Sequence, residues 1–216
     1  MKSPQDNEIN DSRSSSCSNP LQLETKMQRY SFILFAIGSV LSWNSLLSSM
    51  DLYVKRFPSF KPTFSLIMPL TFGLVSAQAL TFFICPVLKL RYTIRVTLMF
   101  GLSMLAVIST ALITFLGTKD DAATYAAILA HIFLLGIFSA ILQAALTEMT
   151  AGLPALRKSL DQGMFVSMMG VNLGRMILMA IFGNETNTGT IICFSMTIVY
   201  LFGCTILASR FVTCFN

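Results

Sequence analysis

Six runs of apolar residues, roughly 29–50, 63–88, 94–116, 124–150, 160–183 and 189–212, decide what this chain can fold into. Each is close to the ~20 residues that a helix needs to cross the hydrocarbon of a bilayer. Inside a bilayer no water satisfies the backbone, so runs of this length predict helices that bond to themselves. The fold class expected is therefore an all-α membrane protein with six transmembrane helices. Composition agrees: 54% of the 216 residues are hydrophobic and only 12% charged. Soluble domains carry about 25% charged residues.

Residues 1–28 are rich in Ser, Asn and Asp with almost no apolar content, which predicts a disordered tail ahead of a bundle at 29–216. The tail lacks the apolar core of a signal peptide. The net charge of +5 does not imply nucleic acid, because the basic residues gather at the ends of the apolar runs. With the N-terminus inside, the cytoplasmic side holds Lys2, Arg13, Lys26, Arg29, Lys89, Arg91, Arg95, Arg157, Lys158 and Arg210. The other side holds Lys55, Arg56, Lys61 and Lys119. That asymmetry places both termini in the cytoplasm, with the plasma membrane as the expected location. Asn184-Glu-Thr then falls in an outer loop as an N-glycosylation acceptor. The cysteines at 17, 85, 193, 204 and 214 show neither a disulfide framework nor metal-ligand spacing. With no nucleophile–base pairing, no HExxH and no metal cluster, neither an enzyme, a cofactor nor a metal is expected.

Within the apolar runs, polar side chains recur at helical spacing. Ser139, Gln143 and Thr147 share a face beside Gly136, Ala140 and Ala144. In the next run Gly163, Ser167, Gly170 and Gly174 form a small-residue stripe for helix packing or gating. Asn172 and Arg175 lie off that stripe with Met168 and Met179. The first run repeats the design: Gly38, Ser42, Ser45 and Ser49 make a small stripe, and Asn44, Ser48 and Asp51 a separate polar face. Counting ~1.5 Å per residue puts Asn44 and Arg175 about 22 Å and Gln143 about 16 Å from the cytoplasmic side. Glu148, about 8 Å in, and Asp51, near the outer edge, then fall at other depths than Arg175. The structural alternative for Arg175 is a water-bridged pair with Glu148, and for Asn44 and Gln143 bridges between helices. His131 reads as a packed or interfacial histidine.

At Leu41-Ser42-Trp43-Asn44, at Gln143-Ala144 and at Asp161-Gln162-Gly163 the chain resembles the equilibrative nucleoside transporters. Their first helix carries Leu-Pro-Trp-Asn, their fourth a Gln-Gly pair after small residues, and their fifth opens on Gly-Gln-Gly-like residues. Arg175 is similar to an arginine of plant and protist members, and Met68 corresponds by spacing to a pocket position. The resemblance implies a substrate site formed by Trp43, Asn44, Met68, Gln143 and Arg175. It implies a major-facilitator-like N-terminal bundle and facilitative transport of nucleosides or nucleobases by alternating access. Family members have eleven helices, six plus five, whereas this chain stops at Asn216. The expectation is thus a truncated N-terminal half whose partner is a C-terminal half or a second copy. The alternative expectation is a non-transporting membrane protein, either a partner subunit or an inactive fragment.

Overall fold

The computed structural model describes residues 20–88, 92–182 and 186–214. Those residues form α1 (Pro20–Ser48), α2 (Met50–Arg56), a 3-10 turn (Pro58–Phe60), α3 (Pro62–Leu88), α4 (Tyr92–Leu116), α5 (Ala122–Met149), α6 (Pro154–Phe182) and α7 (Thr186–Cys214). Five helical spans are long and apolar enough to cross a membrane: Lys26–Arg56, Ile94–Leu116, Ala122–Met149, Pro154–Phe182 and Asn187–Arg210. The chain is an all-α, multi-pass membrane protein. The run expected at 63–88 lies in α3, where the apolar stretch among described side chains, Ser65–Ala79, is shorter than a full span.

The sequence places the whole of 1–28 in a disordered tail, but α1 already starts at Pro20. Proline suits the first helical turn, and Leu21 to Gln28 are mostly strong helix formers. Residues 1–19, Lys89 and Arg91, and the expected glycan acceptor Asn184 lie outside the described residues.

The helices run alternately up and down, and two pairs approach closely. Gly163 of α6 rests on α1, where a Cβ would stand 2.5 Å from the Ile33 carbonyl oxygen and 2.6 Å from Ala36 Cβ. Gly73 of α3 rests on α5 in the same manner, against the Phe133 carbonyl and Gly136 Cα. Helices gain no hydrophobic drive toward each other in lipid, so such small-residue contacts supply packing instead. α5 also packs on α4, and α4 on α7. The expected small stripe of α1 lies inside: Ser42, Ser45 and Ser49 are buried with Phe32, Phe35 and Leu46. Ser45 and Ser49 return their hydroxyls to the Ser42 and Ser45 carbonyls, so burial leaves no unmet donor there.

One end of the bundle is tied by its loops. The Arg56 guanidinium donates to the Gly117 carbonyl, the Asp120 amide to the Arg56 carbonyl at 3.1 Å, and the Ser59 hydroxyl to Asp120 at 2.5 Å. Phe57 and Phe60 pack on Tyr125, with ring centroids 5.3 and 4.8 Å away. Asp121 caps α5 by accepting the Thr124 amide at 2.8 Å. Those hydrogen bonds favour the carboxylate and hold its pKa below the usual aspartate range. The opposite end carries Lys26, Arg29, Arg95, Arg157, Lys158 and Arg210. There the turn between α5 and α6 closes through Gly152, whose φ of 83° is costly for residues with a Cβ.

Candidate functional site: a polar seam between α1, α6 and α7

α1 and α6 run parallel, because Gly163 meets Ile33 and Ala36 while Ser167 donates to the Ile37 carbonyl at 3.1 Å. About eight positions further on, the Arg175 Cα is level with Ser45, close to the depth counted from the sequence. Its side chain does not stay there. The guanidinium extends toward the tied end, where Nη2 lies 3.9 Å from Asp51 Oδ2 and Nη1 donates to Thr190 at 3.4 Å. Long cationic side chains commonly extend this way toward a membrane surface. Gly189 lies beside the guanidinium, where a Cβ would make an ordinary contact 3.4 Å from Arg175 Nη1.

The depth count thus misleads for Asp51, since it compares Cα positions and ignores the reach of the arginine. It holds for Glu148, which pairs with Arg95 at 3.2 Å rather than with Arg175. Both residues of that second pair begin or end an apolar run on the same side, and this shared depth is the signal that would have joined them.

The seam is under-bonded. Arg175 is 7% exposed, and its Nε and Nη2 have no hydrogen-bond partner among the described residues. The same holds for Trp43 Nε1 and Asn44 Nδ2, one position or two from the Ser45 level. An unmet buried donor costs about 1–3 kcal/mol, so Asn44 Nδ2 and the Arg175 donors each favour an acceptor, while Trp43, ~100° round α1 from Asn44, offers its donor on another side of the helix. Ser48 adds a contact across to Cys193, 3.8 Å between Oγ and Sγ. The expected polar face of α1, Asn44–Ser48–Asp51, is therefore the wall that α6 and α7 complete.

Not every expected site residue meets this seam. Gln143 is half-buried on α5, which touches α1 through Ser42 and Ser139, 3.2 Å between hydroxyls. Those two helices are antiparallel, so Asn44 and Gln143 stand ~9 Å apart along the bundle axis. Met68 is 56% exposed on α3, which packs chiefly on α5. On α6, Gly163 and Ser167 face α1, whereas a Cβ at Gly170 or Gly174 would meet nothing within 4 Å. Asn172 is exposed and bonds its own helix, donating to the Met168 carbonyl at 2.9 Å. The far face of α6 is thus bare, with Phe165, Met168, Met169, Leu173 and Met176 exposed around these small and polar residues. His131 is half-buried, with Nδ1 2.8 Å from the Ala127 carbonyl of its own helix. Among the described residues no group of His, Cys, Asp and Glu could hold a metal.

No family model matches the chain, and no curated protein does.

Proposed function

We propose that the chain is a six-helix bundle of a facilitative carrier for nucleosides or nucleobases, with α3 as the sixth crossing and both termini cytoplasmic in the plasma membrane. The observation that carries this reading is the set of buried donors without a partner on two packed helices: Trp43 Nε1 and Asn44 Nδ2 on α1, and Nε and Nη2 of Arg175 on α6. Bases and ribose present carbonyl, ring-nitrogen and hydroxyl acceptors, and a polar solute satisfying several donors at once would gain most from such a seam.

The helix pairing supports an alternating-access carrier. If α1, α3, α4 and α5, α6, α7 are two inverted triplets, a two-fold axis exchanges the α1·α6 contact with the α5·α3 contact. The two glycine contacts obey that exchange: Gly163 on Ile33 and Ala36, Gly73 on Phe133 and Gly136. In each, the glycine meets a carbonyl and a small residue three positions later. Inverted three-helix repeats of this kind build each half of major-facilitator carriers. The bare face of α6 favours a second bundle as the other wall, since exposed Asn172 and Gly170 suit water or protein better than lipid.

A second reading, a non-transporting partner subunit, draws on the Asp51–Arg175–Thr190 tie, which serves assembly equally well. Equilibrium binding of radiolabelled uridine and adenosine to the purified chain, together with uptake in cells, separates the two. Saturable binding that Asn44→Ala and Arg175→Met abolish at unchanged yield is expected. Absence of saturable binding and uptake for every nucleoside and nucleobase tested would leave the subunit reading.

A further inference from the structure

At the end of the bundle opposite Asp51, a groove of about 510 Å³ lies between α1 and α6. Its position follows from the packing. The helices touch where Gly163 meets Ile33 and Ala36, and toward Lys26 and Pro154 longer side chains replace the glycine contact. Lys26, Arg29 and Tyr30 line it from α1, and Lys158, Ser159 and Gln162 from α6. The spacing of three and four residues in both sets puts each on one helix face.

Charge there is one-sided. Lys26 and Arg29, three apart, repel each other, and Lys158 faces them across the groove. Among the described residues no carboxylate lines the groove, and none of these three cations has an ion-pair partner. Asp161, adjacent to Gln162, is engaged by Arg157 at 3.4 Å. The N-terminal turns of α6 add the positive end of the helix dipole. Three cations and three polar groups around a cavity in the usual ligand size range make a receptor for a compact anion.

The surroundings choose among anions. Arg29 stands where the apolar run begins, so the groove opens at the level of lipid headgroups. Tyr30, exposed beside it, is a residue type enriched at that level. Below the charged mouth the exposed wall turns apolar, with Leu34 on α1 and Phe165 and Val166 on α6. A charged mouth above an apolar flank fits an amphiphile.

We propose that the Lys26–Arg29–Lys158 groove binds the phosphate-bearing headgroup of an anionic phospholipid, with the acyl chains lying along Leu34 and Phe165. The site stands on the groove alone and does not depend on the transport reading. It gives the bundle a contact sensitive to leaflet composition, on the side that the basic residues mark as cytoplasmic.

The test is binding of a short-chain phosphatidylinositol bisphosphate to the purified chain in neutral detergent, against short-chain phosphatidylcholine and inorganic phosphate. Saturable binding of the phosphoinositide is expected, with phosphatidylcholine much weaker. Each single change, Lys26→Gln, Arg29→Gln or Lys158→Gln, should weaken binding about fivefold, and the triple change about 100-fold, as the increment per basic residue near a membrane surface implies. The Lys61→Gln and Lys119→Gln pair, at the other end, should bind as the parent does. Unchanged melting of the triple variant in the same detergent shows that the fold persists. Undiminished binding by the triple variant, or equal binding of phosphatidylcholine, overturns the proposal. Inorganic phosphate binding as tightly as the lipid would reassign the groove to a soluble anion and overturn the lipid assignment.

Discussion

Removing Asp51 should matter only while Arg175 is present. Their closest atoms are 3.9 Å apart. At that distance Coulomb attraction is about 4 kcal/mol at an effective dielectric of ~20 and about 1 kcal/mol in bulk water. Neither limit applies as it stands. The Asp51 side chain is 55% exposed, which screens the pair, whereas that of Arg175 is 7% exposed, which keeps it costly to leave alone. A coupling of about 1–2 kcal/mol follows, above an exposed surface pair and below a fully buried one. Asp51→Asn should therefore destabilise the purified chain by about that amount, because the arginine then loses its counter-charge.

Arg175→Met should be close to neutral, since it removes the attraction and the desolvated cation together. The double variant should match Arg175→Met to within about 0.5 kcal/mol, the ordinary tolerance of additivity. Reversible unfolding in mixed micelles gives all four corners of the cycle. If Asp51→Asn costs the same in the Arg175→Met background as in the parent, the two residues are not coupled, and the seam described above is not held by them.

Gly163→Ala should destabilise by about 1–3 kcal/mol through overpacking against Ile33 and Ala36. Gly170→Ala, with nothing within 4 Å, should be neutral or stabilise by up to about 1 kcal/mol through helix propensity; equal effects of the two in a melting assay would refute the packing assigned to α6. Asp121 has a depressed pKa in the folded chain, so its contribution is present above the ordinary aspartate range and is lost as pH falls through the lower folded value. Asp121→Asn keeps a capping side chain without the titration, and should flatten the acid limb of a stability profile; an unchanged limb would assign the acid sensitivity elsewhere.

The helices themselves were legible because twenty apolar residues in lipid leave the backbone little choice. Their pairing was legible only in part. The small stripe of α1 announced a buried face, and Ser42, Ser45 and Ser49 occupy it. On α6 the same spacing ran through four small residues, of which only Gly163 and Ser167 meet α1. Periodicity names a face but says nothing of how far along it the neighbour stays in contact. Gly73 and Gly136, which bring α3 onto α5, were not linked in the sequence: Gly136 was read within the small-residue row of its own helix, and which helix meets that row depends on register. Asn44 stood out as a polar group in apolar surroundings, which is a local property, whereas Trp43 was singled out only through the resemblance. The Asp51–Arg175 tie depends on where a flexible side chain ends, and residue counting follows only the backbone.

The two ends of the bundle are built on different principles. At the Asp51 end, loops bind to loops through Arg56–Gly117 and Ser59–Asp120, and Phe57, Phe60 and Tyr125 pack beneath them. These ties join α2, the turn after it, α4 and α5, and none of them reaches α6. There, among the described residues, the polar ties of α6 run through Arg175, by one longer hydrogen bond and one ion pair to a half-exposed carboxylate. At the other end α6 leans on α1 through Gly163 and then gives way to the basic groove. Among the five apolar spans long enough to cross a membrane, α6 is the one with the least of its length buried. A solute that takes the free donors of Arg175, as proposed above, would compete with Asp51 and Thr190 for the guanidinium and so act on α6 through its polar tie at that end.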